Sequence, residues 1–202
     1  MNKGAFFGDK VLKASRISQV QKKIDDGLLK HGTYGKMDGG VMKGCAVFVT
    51  TCSKEDPHEK IRDELNIPLE LAYLEDRIFE QLKPPHDKAW PVKFLEAIPV
   101  GADLSGVMQK WNLWLLEENL KHEKLWREHD KTNEYADKVV AAIKQVSKVL
   151  LDPASAESSA ESSAESAAAS AESAAASAAS AEYQKFYVQA SEALLDIMRA
   201  AK

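Results

Sequence analysis

Long apolar runs and cysteine motifs are both missing from this sequence. No stretch approaches the roughly 18 consecutive apolar residues of a membrane-spanning helix. Two cysteines, Cys45 and Cys52, are too few for a disulfide framework, and they lack the C-x-x-C spacing of a metal or redox motif. With only 10 glycines and 7 prolines, collagen-like and proline-rich chains are excluded as well. We therefore expect ordinary thiols, no cofactor, no metal and no membrane partner.

A secretion signal is also lacking. Phe6 and Phe7 form the one bulky apolar pair before Asp9, which is far short of the apolar segment of a signal peptide. The sequence thus predicts a soluble protein of the cytoplasm.

The formal net charge of −4 is unevenly distributed along the chain. Residues 1–60 hold 11 basic and 7 acidic residues, whereas residues 153–182 hold 5 glutamates and no basic residue. A mildly basic segment can favour a small anion, but nucleic-acid binding usually needs a clustered, strongly basic patch. We expect a small anionic ligand and no nucleic-acid partner.

Apolar periodicity predicts an all-α fold. Residues at helical spacing indicate a first helix from about Asp9, its N-cap, to Lys30. From Pro57 to residue 152, similar stretches separated by prolines predict five or six short helices. The short apolar run 45–49 leaves two alternatives open, a strand or a buried helical turn.

Residues 154–182 consist of alanine, serine and glutamate alone. Within this tract, eight of the serines recur at a mean spacing of about 3.6 residues, which is the period of an α-helix: Ser155, Ser159, Ser162, Ser166, Ser170, Ser173, Ser177 and Ser180. A disordered linker is the alternative, since serine-rich segments seldom bury enough surface to fold. The period and the high alanine content favour a long helix with a narrow stripe of small residues, on which a second copy of the chain could pack.

The glycine-rich segment 32–44 is the main candidate for ligand binding. Glycines expose backbone N–H groups, and neighbouring lysines and hydroxyls could hold a phosphate. The segment matches neither common phosphate-binding motif, so a simple turn is the alternative. The candidate ligand-binding residues are His31, Thr33, Tyr34, Lys36 and Lys43 in or beside this segment, and Arg77 further along the chain.

Two carboxylates give a weaker signal for catalysis. Asp76 and Glu80 are four residues apart, and paired carboxylates can perform acid–base chemistry if burial separates their pKa values. Salt bridges on a helix surface are the more common use of such pairs. We therefore assign no catalytic residue, and an enzyme that uses Asp76, Glu80 or His31 remains an alternative.

Several segments together resemble an uncharacterised family of hypothetical proteins from bacteria, prophages and phages. The likeness covers roughly residues 15–185. The segments that carry it are 32–35 (GTYG), 44–47 (GCAV), 64–68 (ELNIP), 74–80 (LEDRIFE), 97–105 (AIPVGADLS) and the alanine–serine–glutamate tract. Members often read GCAVGC, where this chain has Phe48 and Val49 in place of the second glycine and cysteine. The resemblance implies a mobile-element setting, with the host cytoplasm as location, in which small proteins often neutralise host defences.

The sequence as a whole predicts two regions. Residues 1–152 form a helical globular domain with the glycine-rich loop 32–44, and residues 153–202 form a long low-complexity helix that ends in an apolar docking segment. The predicted function is non-enzymatic: the protein sequesters a small anionic ligand such as a cyclic nucleotide, to counter host defence, and self-associates. The alternatives are a protein–protein interaction module that acts through the alanine–serine helix and a nucleotide-processing enzyme.

Overall fold

A computed structural model describes residues 4–129, 132–151 and 180–202. The fold is mainly helical, as predicted. Its helices are α1 Lys10–Asp25, α2 Ala46–Thr51, α3 Pro57–Leu65, α4 Leu69–Gln81, α5 His86–Ala97, α6 Val107–Leu120, α7 Glu123–His129, α8 Glu134–Leu151 and α9 Ser180–Arg199. Within these described ranges, the strands are β1 Lys36–Asp38 and β2 Val41–Lys43.

Helix α1 begins where the sequence predicts. Oδ1 of Asp9 accepts hydrogen bonds from the backbone N–H groups of Val11 and Leu12, at 2.7 and 3.1 Å. This N-cap satisfies two of the donors that the first turn leaves unpaired. The helix ends at Asp25 rather than near Lys30, because the chain reverses at Gly27, whose φ of 73° favours glycine.

The glycine-rich segment contains a short antiparallel hairpin, where only a loop was expected. Lys36 pairs with Lys43 and Asp38 with Val41. Gly39 and Gly40 form the turn with φ values of 60° and 82°, as a two-residue hairpin loop requires. The hairpin is therefore a defined element that begins just after Gly35 and ends just before Cys45.

The open choice for residues 45–49 is resolved as a helix. Residues 46–51 form α2, and its side chains from Ala46 to Thr50 are buried. Two cations from α1 bind its last carbonyls: Arg16 donates to the Thr50 oxygen and Lys23 to the Val49 oxygen, both at 2.7 Å. Cations at this end match the negative end of the helix dipole.

The chain divides into two compact units, and the first is discontinuous. It comprises residues 1–108 and 184–202. Within it, α2 packs against α1, α3, α4 and α5. The last helix completes its core with Leu194, Leu195 and Met198, which are all fully buried.

The second unit comprises residues 109–183. Within its described part, α7 packs against α8. Arg127 pairs with Asp137 across that contact and with Glu123 one turn earlier on α7 itself. Trp111 stacks on Trp114 with ring centroids 5.2 Å apart. The predicted boundary at residues 152 and 153 and the alanine–serine–glutamate tract up to residue 179 lie outside the described residues.

Among the described helices, none combines the length and the apolar character that crossing a membrane requires.

Candidate functional site

The first unit contains a cluster of polar side chains around one buried carboxylate. We define the Asp76 cluster as Tyr34, Cys45, His58, Glu75, Asp76 and Glu80. Its members come from the loop before β1, the residue before α2, the first turn of α3, and α4. Residues far apart in the sequence thus meet at one place.

Helix α4 supplies three carboxyl groups to the cluster. Asp76 and Glu80 are one helical turn apart, so both lie on the same side of the helix. That side faces the interior: Asp76 is only 7% exposed, and it lies between Leu74 and Ile78 on a helix whose face from Leu71 to Phe79 is largely buried. The burial that was missing from the sequence argument is therefore present in the structure.

Asp76 lies at the centre of the cluster. Its Oδ2 is 3.5 Å from Nε2 of His58, a side chain that is itself buried. Burial, followed by the negative charge of Asp76, raises the pKa of Tyr34 to about 12. The same two causes, in the same order, raise the pKa of the Cys45 thiol well above its usual range. Both groups are consequently protonated at neutral pH and face the carboxylate as neutral donors.

Several polar atoms of the cluster have no hydrogen-bond partner among the described residues. They are Nε2 of His58, Oδ1 of Asp76 and both carboxyl oxygens of Glu75. Burial raises the pKa of Glu75 well above its usual range, and the neighbouring charge of Asp76 adds to the effect. Buried polar groups without hydrogen-bond partners cost free energy of folding, so a cluster that retains several of them is a candidate ligand-binding site.

Three side chains of the cluster could hold a metal ion. Sγ of Cys45 and one carboxylate oxygen each of Asp76 and Glu80 all lie within 4.8 Å of one another. Cysteine and carboxylate are both known zinc ligands. No metal was expected from the sequence, where Cys45 was interpreted as an ordinary thiol.

The predicted ligand residue His31 binds carboxylates in the structure. Its ring stacks on Phe79, with centroids 4.2 Å apart. Its Nδ1 is 3.5 Å from Oε2 of Glu80, and its Nε2 is 3.1 Å from Oδ2 of Asp87. His31 therefore borders the Asp76 cluster and orients two acidic groups.

The glycine-rich loop also uses its donors internally. The Gly32 N–H donates to both carboxylate oxygens of Glu80, each at 2.9 Å. The backbone oxygen of Thr33 accepts from the Cys45 N–H at 2.7 Å, and its hydroxyl accepts from the Gly35 N–H at 3.2 Å. These bonds join the loop to α4 and to the start of α2, so they fix the geometry of the cluster.

The predicted lysines lie on the hairpin. Lys43 is 3.5 Å from Asp38, which also pairs with Lys30 at 3.0 Å. Lys36 is exposed on β1, opposite Lys43. Neither lysine belongs to the Asp76 cluster, and whether they bind an anion stays a prediction.

An aromatic surface overlaps the cluster and shares Tyr34 and His58 with it. Tyr73 stacks on His58 at 4.1 Å, and Tyr34 meets the same imidazole edge-on at 5.4 Å. Both tyrosines remain about half exposed, at 50% and 48%. Arg77, the remaining predicted residue, is exposed on α4 one turn beyond Tyr73. We call Tyr34, His58, Tyr73 and Arg77 the aromatic face.

Sequence reasoning missed Cys45, His58, Glu75 and Tyr73. The spacing of Asp76 and Glu80 was visible, but nothing local connects α4 with a cysteine about 30 residues earlier. Only the packing of α2 and α3 on α4 reveals the set.

No protein-family model, no curated protein and no solved structure matches this chain.

Proposed function

We propose that the first unit captures a small anionic molecule with a planar aromatic group, such as a nucleotide, on the aromatic face. The observation that carries this proposal is the pair of half-exposed tyrosines in contact with one buried imidazole. Large aromatic rings that stay exposed while their positions are fixed are suited to stacking against a planar ligand.

Stacking accounts for the aromatic part of the ligand. Tyr73 is held on His58, and His58 is held beside Asp76, so the exposed ring loses little conformational freedom on binding. Stacking of one base on one aromatic side chain contributes about 1–3 kcal/mol. A charge contact on the same side of α4 would add to this contribution.

Arg77 supports the anionic part. It follows Tyr73 by four residues, so both side chains lie on the same exposed side of α4. A guanidinium binds phosphate through two parallel hydrogen bonds, and exposed Lys36 adds positive charge two residues after Tyr34. The negative charge of Asp76 acts on Tyr34, so we expect the anionic group of the ligand to lie on the Arg77 side, away from that carboxylate.

The proposal is for binding without turnover. A cysteine nucleophile reacts as the thiolate, and the pKa of Cys45 is raised, so the thiol is a poor nucleophile at neutral pH. An enzyme that uses Asp76 and Glu80 remains the alternative, and product formation from a nucleotide panel would favour it.

Calorimetric titration of the full chain with mononucleotides and cyclic nucleotides tests the proposal. We expect binding, with the ligand recovered intact after denaturation. Tyr73→Ala and Arg77→Gln should each weaken it, by roughly 5- to 150-fold for the tyrosine. Arg62→Gln is the matched control, because Arg62 is an exposed arginine on α3 that pairs with its neighbour Asp63. Absence of heat across the panel, or equal affinity of Arg77→Gln and Arg62→Gln, contradicts the proposal.

A second candidate function is self-association through the alanine–serine–glutamate tract. The observation that favours it is the start of α9 at Ser180, inside the tract, so that the last residues of the tract already belong to a helix. A helix that continued backward along the same period would present a stripe of alanine and serine, which allows close approach of a second helix.

Analytical ultracentrifugation tests this second candidate. The full chain should sediment as an oligomer, and a variant that lacks residues 154–179 should sediment as a monomer while it still binds the small ligand. A full chain that is monomeric at high concentration argues against self-association, whatever the outcome of the ligand titration.

A further inference from the structure

We propose that Cys45, Asp76 and Glu80 form a binding site for one divalent transition metal ion of the zinc type. The metal site goes beyond ligand capture on the aromatic face and does not depend on it. It follows from the position of three ligand atoms, from buried atoms that lack a partner, and from the chemistry of the donor set.

The three donor atoms are close to metal-binding geometry. Sγ of Cys45 and the carboxylate oxygens of Asp76 and Glu80 lie within 4.8 Å of one another. Bonds of about 2.0–2.3 Å in a tetrahedral zinc site place its ligand atoms roughly 3.3–3.8 Å apart. Side-chain rotation that moves each donor inward by a fraction of an ångström closes the remaining gap.

Buried atoms without hydrogen-bond partners lie on and beside Asp76, one of the three proposed ligands. Nε2 of His58 has no hydrogen-bond partner among the described residues and is aimed at Asp76, 3.5 Å from Oδ2. The His58 side chain is only 6% exposed, and Oδ1 of Asp76 is likewise buried and unpartnered. A cation on Asp76 would satisfy the carboxylate, and His58 would then orient it from behind, as histidine–carboxylate partners do at metal sites.

The surrounding contacts hold the donors in place. Glu80 accepts two hydrogen bonds from the Gly32 N–H and lies 3.5 Å from Nδ1 of His31. The N–H of Cys45 donates to the Thr33 oxygen at 2.7 Å. Asp76 and Glu80 thus face imidazole rings, which carry a positive charge only when protonated. A site of this kind favours a cation, and these contacts keep the three donors near one another, so that small side-chain rotations suffice to bind one.

The donor set selects the type of metal. A thiolate is a soft ligand that prefers zinc and its neighbours, whereas magnesium and calcium prefer oxygen ligands alone. On binding, the Cys45 S–H bond breaks, an S–metal bond forms, and the proton passes to solvent. No oxidant or reductant takes part. Three protein ligands leave one coordination position open, as in zinc sites that bind water or an anion.

Metal titration of the full chain tests the site. After treatment with a chelator under reducing conditions, the protein is titrated with Zn²⁺ against a chromophoric competitor and, separately, with Co²⁺. We expect one equivalent of Zn²⁺ and a cobalt–thiolate charge-transfer band. Glu80→Gln and Asp76→Asn should weaken Zn²⁺ binding by at least about tenfold.

Matched controls are available in the same chain. Glu70→Gln changes an exposed glutamate on α4, and Cys52→Ser removes the exposed cysteine. Both should bind Zn²⁺ as tightly as the unaltered protein. Circular dichroism reports whether each variant has kept its helices. The comparison of Glu80→Gln with Glu70→Gln decides the outcome without a substitution at the fully buried Cys45.

Three results would overturn the proposal. The first is that the folded protein does not bind Zn²⁺. The second is that Glu80→Gln and Glu70→Gln bind Zn²⁺ with equal affinity. The third is that the cobalt–thiolate band disappears in Cys52→Ser. Because these measurements contain no nucleotide, their failure is separate from a failure of ligand capture on the aromatic face.

Discussion

The two cysteines differ in their surroundings, and this difference decides how each one reacts. Cys45 is fully buried beside Asp76, whereas Cys52 is exposed at the end of α2. Burial raises the pKa of the Cys45 thiol, so the reactive thiolate is scarce at neutral pH. Chemical identity alone would have made the two side chains equivalent.

Alkylation measures this difference. In the folded, metal-free protein near neutral pH, iodoacetamide should alkylate Cys52 more than about tenfold faster than Cys45. Mass spectrometry of the digested protein gives both rates. In denaturant the two rates should converge, and the variant Cys52→Ser should show only the slow reaction until it is unfolded. Rapid labelling of Cys45 in the folded protein would show that the site is more open than described.

At the level of single residues, the sequence reveals only part of the site. Asp76 and Glu80 could be paired from their spacing alone, because a helix fixes which residues share a side. His31 and Tyr34 were selected because they lie in or beside a glycine-rich loop, and the structure places Tyr34 in the Asp76 cluster and His31 at its border. Cys45 and His58 could not be connected to Asp76, because they reach it only through contacts between separate helices.

Among the elements, α2 is held by contacts at both of its ends. Gly44 precedes it with no room for a side chain, since an added Cβ would lie 2.5 Å from the Phe48 ring. At the other end, Arg16 and Lys23 bind the last carbonyls. This short helix positions Cys45, so its stability bears directly on the site.

Substitution of Gly44 should therefore destabilise the protein. Gly44→Ala forces Phe48 or the backbone to move, at a cost of about 1–3 kcal/mol in the free energy of unfolding. Denaturant titration measures it. Gly106→Ala provides the comparison, because a Cβ there meets nothing within 4 Å, and its effect should remain within about 0.5 kcal/mol. Equal stability of the two variants would refute the tight contact.

Loss of the cation at the other end of α2 should also be measurable. Arg16→Met removes the hydrogen bond to Thr50 and the ion pair with Glu64, and it leaves a partly buried carbonyl without its charged donor. We expect about 1.5–3 kcal/mol of destabilisation. Arg62→Met, an exposed substitution on α3, should change the free energy of unfolding far less in the same denaturant titration. Similar values for both variants would mean that Arg16 contributes only as surface charge.

Element boundaries show where local sequence signals suffice. The Asp9 cap could be predicted because one side chain satisfies its own helix. The run 45–49 could not be assigned, because a buried helical turn and a buried strand have the same apolar composition. The hairpin at 36–43 was missed because its strands are three residues each and mostly exposed, which leaves no alternating pattern to detect.

The hydrophobic core of the first unit is complete only when its two chain segments pack together. Helix α9 contributes buried Tyr187, Leu194 and Met198 to this unit. Lys93 pairs with Glu192 at 3.0 Å, and the Asp103 N–H donates to the oxygen of Lys202 at 2.8 Å. Sequence periodicity identified an apolar docking segment near the end of the chain, but its partner could not be named from one sequence.

Two shortened chains test the assignment of α9 to the first unit. Removal of residues 184–202 should unfold the first unit, since each fully buried side chain contributes about 1.5–3 kcal/mol and typical domains have only about 5–15 kcal/mol in total. Replacement of residues 109–183 by a flexible glycine–serine linker of about 20 residues should leave it folded. Circular dichroism and thermal melting compare the two. Cooperative unfolding of the chain that lacks 184–202 would contradict the assignment of α9 to this core.

Because the first unit combines residues 1–108 with residues 184–202, it cannot complete its core until the end of the chain has been synthesised. The ribosome completes the first 108 residues well before it reaches α9, so the nascent chain must wait for its missing helix. At roughly 5–20 residues per second that interval lasts on the order of 5–20 seconds. During it the apolar surface that later receives Leu194 and Leu195 has no cover, which makes this stretch of synthesis the moment at which a chaperone would be needed most.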